Sequence, residues 1–113
     1  MARGEFLMDA SKFSQFAKLY DLYHPLLTDK QKSIAEATFL QDLSLAEIAK
    51  ALNITRSGVQ DHLQKAMQKL EDAETSLGFL AVFDRQESVL KTLESTDLTD
   101  EQKALIQALK DVI

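Results

Sequence analysis

The sequence contains no cysteine and no tryptophan, one proline and three glycines. Without cysteine there is neither a disulfide framework nor a thiolate metal site, so a reducing compartment is the expected setting. So few glycines leave no phosphate-cradling loop and no dinucleotide fingerprint. No stretch alternates apolar and polar residues beside turn residues, which excludes a sheet. Long apolar runs are missing too. The opening MARGEFLMD has only a brief apolar cluster, and nothing later approaches bilayer length. The expectation is a cytoplasmic protein with no membrane segment, and Met8 offers an alternative start.

What is present is 113 residues with 45% hydrophobic content, enough for one core plus a helical extension. The net charge of −5 argues against a polyanion as partner, because affinity for phosphate backbones comes largely from Lys and Arg. Its distribution softens the objection. Residues 1–25 carry three basic and three acidic side chains, residues 26–70 six and five, and residues 71–113 four and ten. The acidity therefore sits in the tail, and the middle segment, at +1, is able to approach a nucleic acid with modest, salt-sensitive affinity.

The spacing predicts an all-α fold. Phe13, Phe16, Ala17, Tyr20, Tyr23 and Leu27 fall at helical steps, and Pro25 should stop that helix near His24. Thr28 and Gln31 form a capping box opening a second helix with Ile34, Ala35, Thr38 and Phe39 inside. Ser44 and Glu47 repeat the arrangement for a short third helix ending at Asn53, a residue suited to a left-handed turn. Thr55 caps a fourth helix. From Val59 the apolar residues fall at 59, 63, 66, 70, 73, 77 and 80, the spacing of a coiled-coil seam. This long helix needs a cover, either a second chain, making a homodimer through 59–80, or the last helix, with Leu105, Leu109 and Val112. A break is expected between Gly78 and Asp84 before a helical face resumes at Val89, and Thr99 with Gln102 caps the last helix. The organisation read from this is a helix-turn-helix domain over 1–70 and an acidic helical extension over 71–113, the expected dimerisation region.

Residues 44–63 carry the functional signal. Two short helices meeting at about a right angle need a small residue at the crossing, apolar residues at the corner and a turn tolerant of unusual dihedrals. Ala49 is the small residue, Ile48, Leu52, Ile54, Val59 and Leu63 the corner, and Asn53 the turn. Such a unit presents the first turns of its second helix outward, where Arg56, Ser57, Gln60, Asp61, Gln64 and Lys65 would face a groove. Arg and Gln suit base edges and Lys65 suits phosphate, while Lys30 and Lys32 lie in the first turn of another capped helix. The partner expected is DNA or structured RNA.

The bland alternatives stand beside this one. A helix-turn-helix unit can serve purely as a protein-interaction adaptor, with Arg56, Gln60 and Lys65 merely solvated. His24 and His62 have no partner at metal-chelating spacing, so no metal or cofactor is expected. Glu71, Asp72 and Glu74 lie on a solvated helix face rather than in a catalytic pair. Phe13, Phe16, Tyr20 and Tyr23 are core rather than a stacking platform, because their spacing points inward. No nucleophile has a base nearby, and no catalytic residue is assigned: the chain reads as a non-enzyme.

LTDKQ at 27–31, SLAEIA at 44–49, and Thr55, Arg56, Val59 and Asp61, followed by a long acidic helix, resemble the bacterial YlxM family of p13-like helix-turn-helix proteins over roughly residues 16–80. More distantly the stretch resembles region 4 of sigma factors. The first resemblance implies a regulatory component of the signal recognition particle pathway, by association with the genes for that particle's proteins, and a capacity for DNA or RNA. It places the reader helix at Arg56–Lys65. The sequence departs from the family pattern at Ser57, Gly58 and Gln60, where Gln, Ala and Tyr are usual, so a possible base-stacking tyrosine is missing.

Overall fold

A computed structural model describes residues 9–112. Every regular element among them is helical. The α-helices are α1 (Ala10–Tyr23), α2 (Asp29–Phe39), α3 (Leu45–Leu52), α4 (Arg56–Leu77), α5 (Phe79–Glu94) and α6 (Asp100–Val112), with a single 3-10 turn at His24–Leu26. The chain forms two compact units, one up to Leu77 and one from Gly78 onward. The boundary residue, Gly78, has φ 67, a left-handed value that glycine adopts without steric penalty.

Each capping box forms as its spacing requires. Gln31 N–H donates to Thr28 Oγ1 at 3.2 Å while Thr28 N–H donates to Gln31 Oε1 at 2.9 Å. Ser44 with Glu47 and Thr99 with Gln102 make the same reciprocal pairs. The Ser44 N–H and then the Ser44 hydroxyl hold the Glu47 carboxyl below its usual range, since both bonds favour the carboxylate. Helix α1 has its own cap, absent from the sequence reading: Asp9 Oδ1 accepts from Lys12 N–H at 2.7 Å.

Helix α3 ends in a Schellman motif. Ile54 N–H reaches Ala49 O at 3.0 Å and Asn53 N–H reaches Lys50 O at 3.4 Å, with Asn53 at φ 55, ψ 47. Because the short polar side chain of asparagine offsets by local hydrogen bonding a steric penalty of about 1–2 kcal/mol that a β-branched residue bears in full, Asn53→Val is expected to lower unfolding free energy by about that amount. Asn53→Gly should stay within a few tenths of a kcal/mol of the parent, both measured by urea unfolding. Equal stability of the two variants would show that the turn does not demand the left-handed residue.

The core of the first unit lies where α1, α2 and α3 pack on α4. Ile34, Ala35, Val59, Leu63, Ala66 and Leu70 are fully inaccessible. The aromatic residues of α1 join this core, with Phe13 edge-on to Phe39 at 5.4 Å between ring centroids and Phe16 stacked on it at 6.2 Å. Tyr23 closes the unit by donating from its hydroxyl to Glu74 Oε1 at 2.7 Å.

This packing corrects three expectations. The stripe read as a seam over 59–80 is covered from Val59 to Ala73 by the chain's own first three helices. It is therefore unavailable to a second copy along that length, and Leu105, Leu109 and Val112 stay exposed. The physical reason is that helical periodicity identifies the buried face of a helix but not what lies against it. Leu52, assigned to the buried corner, is 37% exposed, because it is the last helical residue before the turn. Finally, the break at Gly78 occupies one residue: α5 starts at Phe79 rather than near Val89.

Candidate nucleic-acid interface

The site is assembled by the corner between α3 and α4. Ala49 is 7% exposed and Ile48 1% on α3, while Val59 and Leu63 on α4 are inaccessible, so the two helices meet through one small and three branched side chains. Thr55 starts α4: its Oγ1 accepts from Gly58 N–H at 2.9 Å, and its carbonyl accepts from Val59 N–H at 3.0 Å. A Cβ at residue 58 would sit 3.0 Å from that same Oγ1. The glycine that weakens the helix by propensity thus leaves room for the cap.

With Val59, Leu63, Ala66, Met67, Leu70 and Ala73 turned inward, most other positions of α4 face outward. Arg56, Ser57, Gln60, Asp61, Gln64 and Lys65 are all exposed. The structure thus places the six sequence-chosen α4 residues on the surface, within the first three turns of the helix. Lys30 is exposed and Lys32 half-buried at the start of α2. They form a separate group, joined to α4 further along, where Lys69 Nζ donates to Gln31 Oε1 at 3.3 Å. Lys69 was missing from the sequence reading, although its position one turn after Lys65 could have suggested it.

Charge changes sign along α4. Residues 56–69 hold Arg56, Lys65 and Lys69 against Asp61, whereas Glu71, Asp72 and Glu74 follow without a basic residue. The helix macrodipole is positive at the N-terminal end, so side chains and backbone cooperate there in favouring an anion. One contact opposes this: Lys65 Nζ lies 3.0 Å from Asp61 Oδ2, with both side chains well exposed. Gln68 continues the row of amides begun by Gln60 and Gln64, but its Nε2 donates to Asp72 Oδ1 at 2.9 Å.

Behind the site, Tyr20 on α1 faces Glu36 on α2, with 3.5 Å between the hydroxyl and Oε2. Burial first, then the Glu36 charge and its hydrogen bond, raise the Tyr20 pKa above 10.0. Because the folded value is raised, this phenol's contribution to stability is complete below the unfolded pKa and is lost as pH rises through the folded one. Ultraviolet difference titration of the parent against Tyr20→Phe should show that the phenol removed by the substitution ionises above the range of a free tyrosine; a difference step at the ordinary value would contradict the assignment.

A short helix ending in a left-handed turn, a second helix capped directly after it and an exposed polar face on its first turns together define a helix-turn-helix protein. The family model described as "Putative helix-turn-helix protein, YlxM / p13 like" matches residues 10–112. The chain belongs to this family. Among its relatives, a UPF0122 protein of Exiguobacterium sp. AT1b is 33% identical, covering 93% of this chain and 99% of that protein. A UPF0122 protein of Symbiobacterium thermophilum is 36% identical over 80% of this chain and 89% of its own length. One of Listeria innocua is 33% identical over 89% and 96%. No helix among the described residues is long and apolar enough to cross a membrane.

Proposed function

We propose that this chain is a cytoplasmic, non-enzymatic nucleic-acid-binding protein that inserts the first three turns of α4 into a groove of DNA or structured RNA. Gln60, Gln64 and Ser57 read base edges, and Arg56 and Lys65 hold phosphate or guanine. Lys30, Lys32 and Lys69 extend the contact along the backbone. The observation that carries the reading is the outward polar face of α4 at its positive end, fixed by the buried corner of Ile48, Ala49, Val59 and Leu63. The pathway assigned is that of the signal recognition particle, in a regulatory role, and it rests on the family resemblance alone.

The test is titration with duplex DNA and with structured RNA at two salt concentrations. Arg56→Ala is expected to cost about 1–3 kcal/mol of binding if it reads a base, whereas Lys65→Ala should weaken binding across sequences and reduce the salt slope by about one. Absence of salt-dependent binding, with neither substitution mattering, would overturn the proposal. It would favour the second reading, a protein-binding adaptor, which the Asp61–Lys65 pair and the net charge of −5 support.

A further inference from the structure

The unit from Gly78 onward leaves an apolar surface without a cover. On α5, Phe79, Val82, Gln86, Val89 and Leu93 alternate steps of three and four, the spacing of a coiled-coil seam. Within this unit only Leu90 and Ile106 are buried among the large apolar residues described. Helices α5 and α6 meet near them, where Lys110 Nζ donates to Glu94 Oε2 at 2.8 Å. To one side, Val82, Val89, Leu93, Leu105, Leu109 and Val112 are between 40% and 79% exposed. A furrow of about 270 Å³ on this side is lined by Arg85, Gln86, Val89, Leu90, Leu93 and Leu109.

We infer that this α5–α6 face is the docking surface for a second copy of the chain, the two helix pairs closing into a bundle about a two-fold axis near Gln86. Two observations select a second copy. The six exposed apolar side chains present roughly 500 Å² per copy, so pairing them with their flanks buries on the order of 1,200 Å², the lower bound of a stable interface. Gln86 stands in the middle of the α5 seam, between Val82 and Val89, the kind of position at which a polar side chain specifies the helix partner. A polar residue within an apolar seam also sets register.

The charge of this unit gives the interface a signature. Residues 78–113 carry four basic and seven acidic side chains, so the two copies repel at long range and added salt should tighten the dimer. Nucleic-acid binding should weaken under the same change. The inference does not depend on the proposed function.

The test is sedimentation equilibrium of the full chain from about 1 to 100 µM at low and high salt, where mass action reveals the association. A dimer is expected, tighter at high salt. Val89→Asp with Leu109→Asp should weaken it by at least about a hundredfold. Both side chains are half exposed in the single chain, so the helical circular dichroism should remain. Gln86→Ala should weaken the dimer by a smaller factor. A parent that stays monomeric throughout overturns the inference, as does a dimer indifferent to the double substitution. If the double variant loses its helical signal, Val89→Lys alone decides on the same two criteria.

Discussion

Leu63→Ala is expected to lower unfolding free energy by about 2–5 kcal/mol, the range found when a fully buried leucine leaves a partly relaxed cavity. Leu63 is inaccessible and sits on α4 where α1, α2 and α3 converge. Against a typical stability of about 5–15 kcal/mol, that loss is a large fraction of what keeps the first unit folded. Urea unfolding followed by circular dichroism measures it. Since the stripe is covered within one chain, the destabilisation from this site should be independent of protein concentration. A loss below about 1 kcal/mol would mean that α4 is not packed in this way.

Ala49→Leu should have the second largest effect. The side chain at this position is 7% exposed on α3, packed on α4, and its carbonyl accepts from Ile54 N–H to lock the turn. Extra methylenes there must displace one helix from the other, at a cost of about 1–3 kcal/mol. On the proposed function, the same shift moves Arg56 and Gln60 relative to a groove. Nucleic-acid affinity should therefore fall by more than the stability loss explains, at concentrations where the variant remains folded. A variant that melts early yet binds as the parent does would separate the corner from the interface.

The local chemistry of this fold was legible in the sequence, because capping is settled within four residues. Thr28 with Gln31, Ser44 with Glu47 and Thr99 with Gln102 could be paired by spacing alone, and each pair forms. Asn53 was likewise legible, since few residues tolerate a left-handed turn. What could not be read were decisions made across the chain. The corner pattern placed Val59 and Leu63 against α3, but the periodicity of α4 beyond them showed only that a face is buried and not that α1 and α2 would supply its cover. The bond from Tyr23 to Glu74 joins residues 51 positions apart and has no signature in either neighbourhood. Asp42, at φ 53, turns the chain between α2 and α3, and its neighbours carry no turn motif that would have marked it. For the candidate interface, exposure followed from the same periodicity that predicted burial. The partners of the exposed groups did not, although the four-residue spacing of Asp61 and Lys65 was there to be used.

That pair has a consequence for how any polyanion would be met. A phosphate approaching Lys65 finds a carboxylate 3.0 Å from the ammonium, and the two anions repel unless Asp61 swings aside or accepts a donor from a base. Loose encounters with a sugar-phosphate chain therefore gain little from this lysine. On the proposed function, a close fit that also offers Asp61 a donor, for example a cytosine amino group, offsets part of that repulsion, so the ion pair would weaken casual adhesion more than recognition.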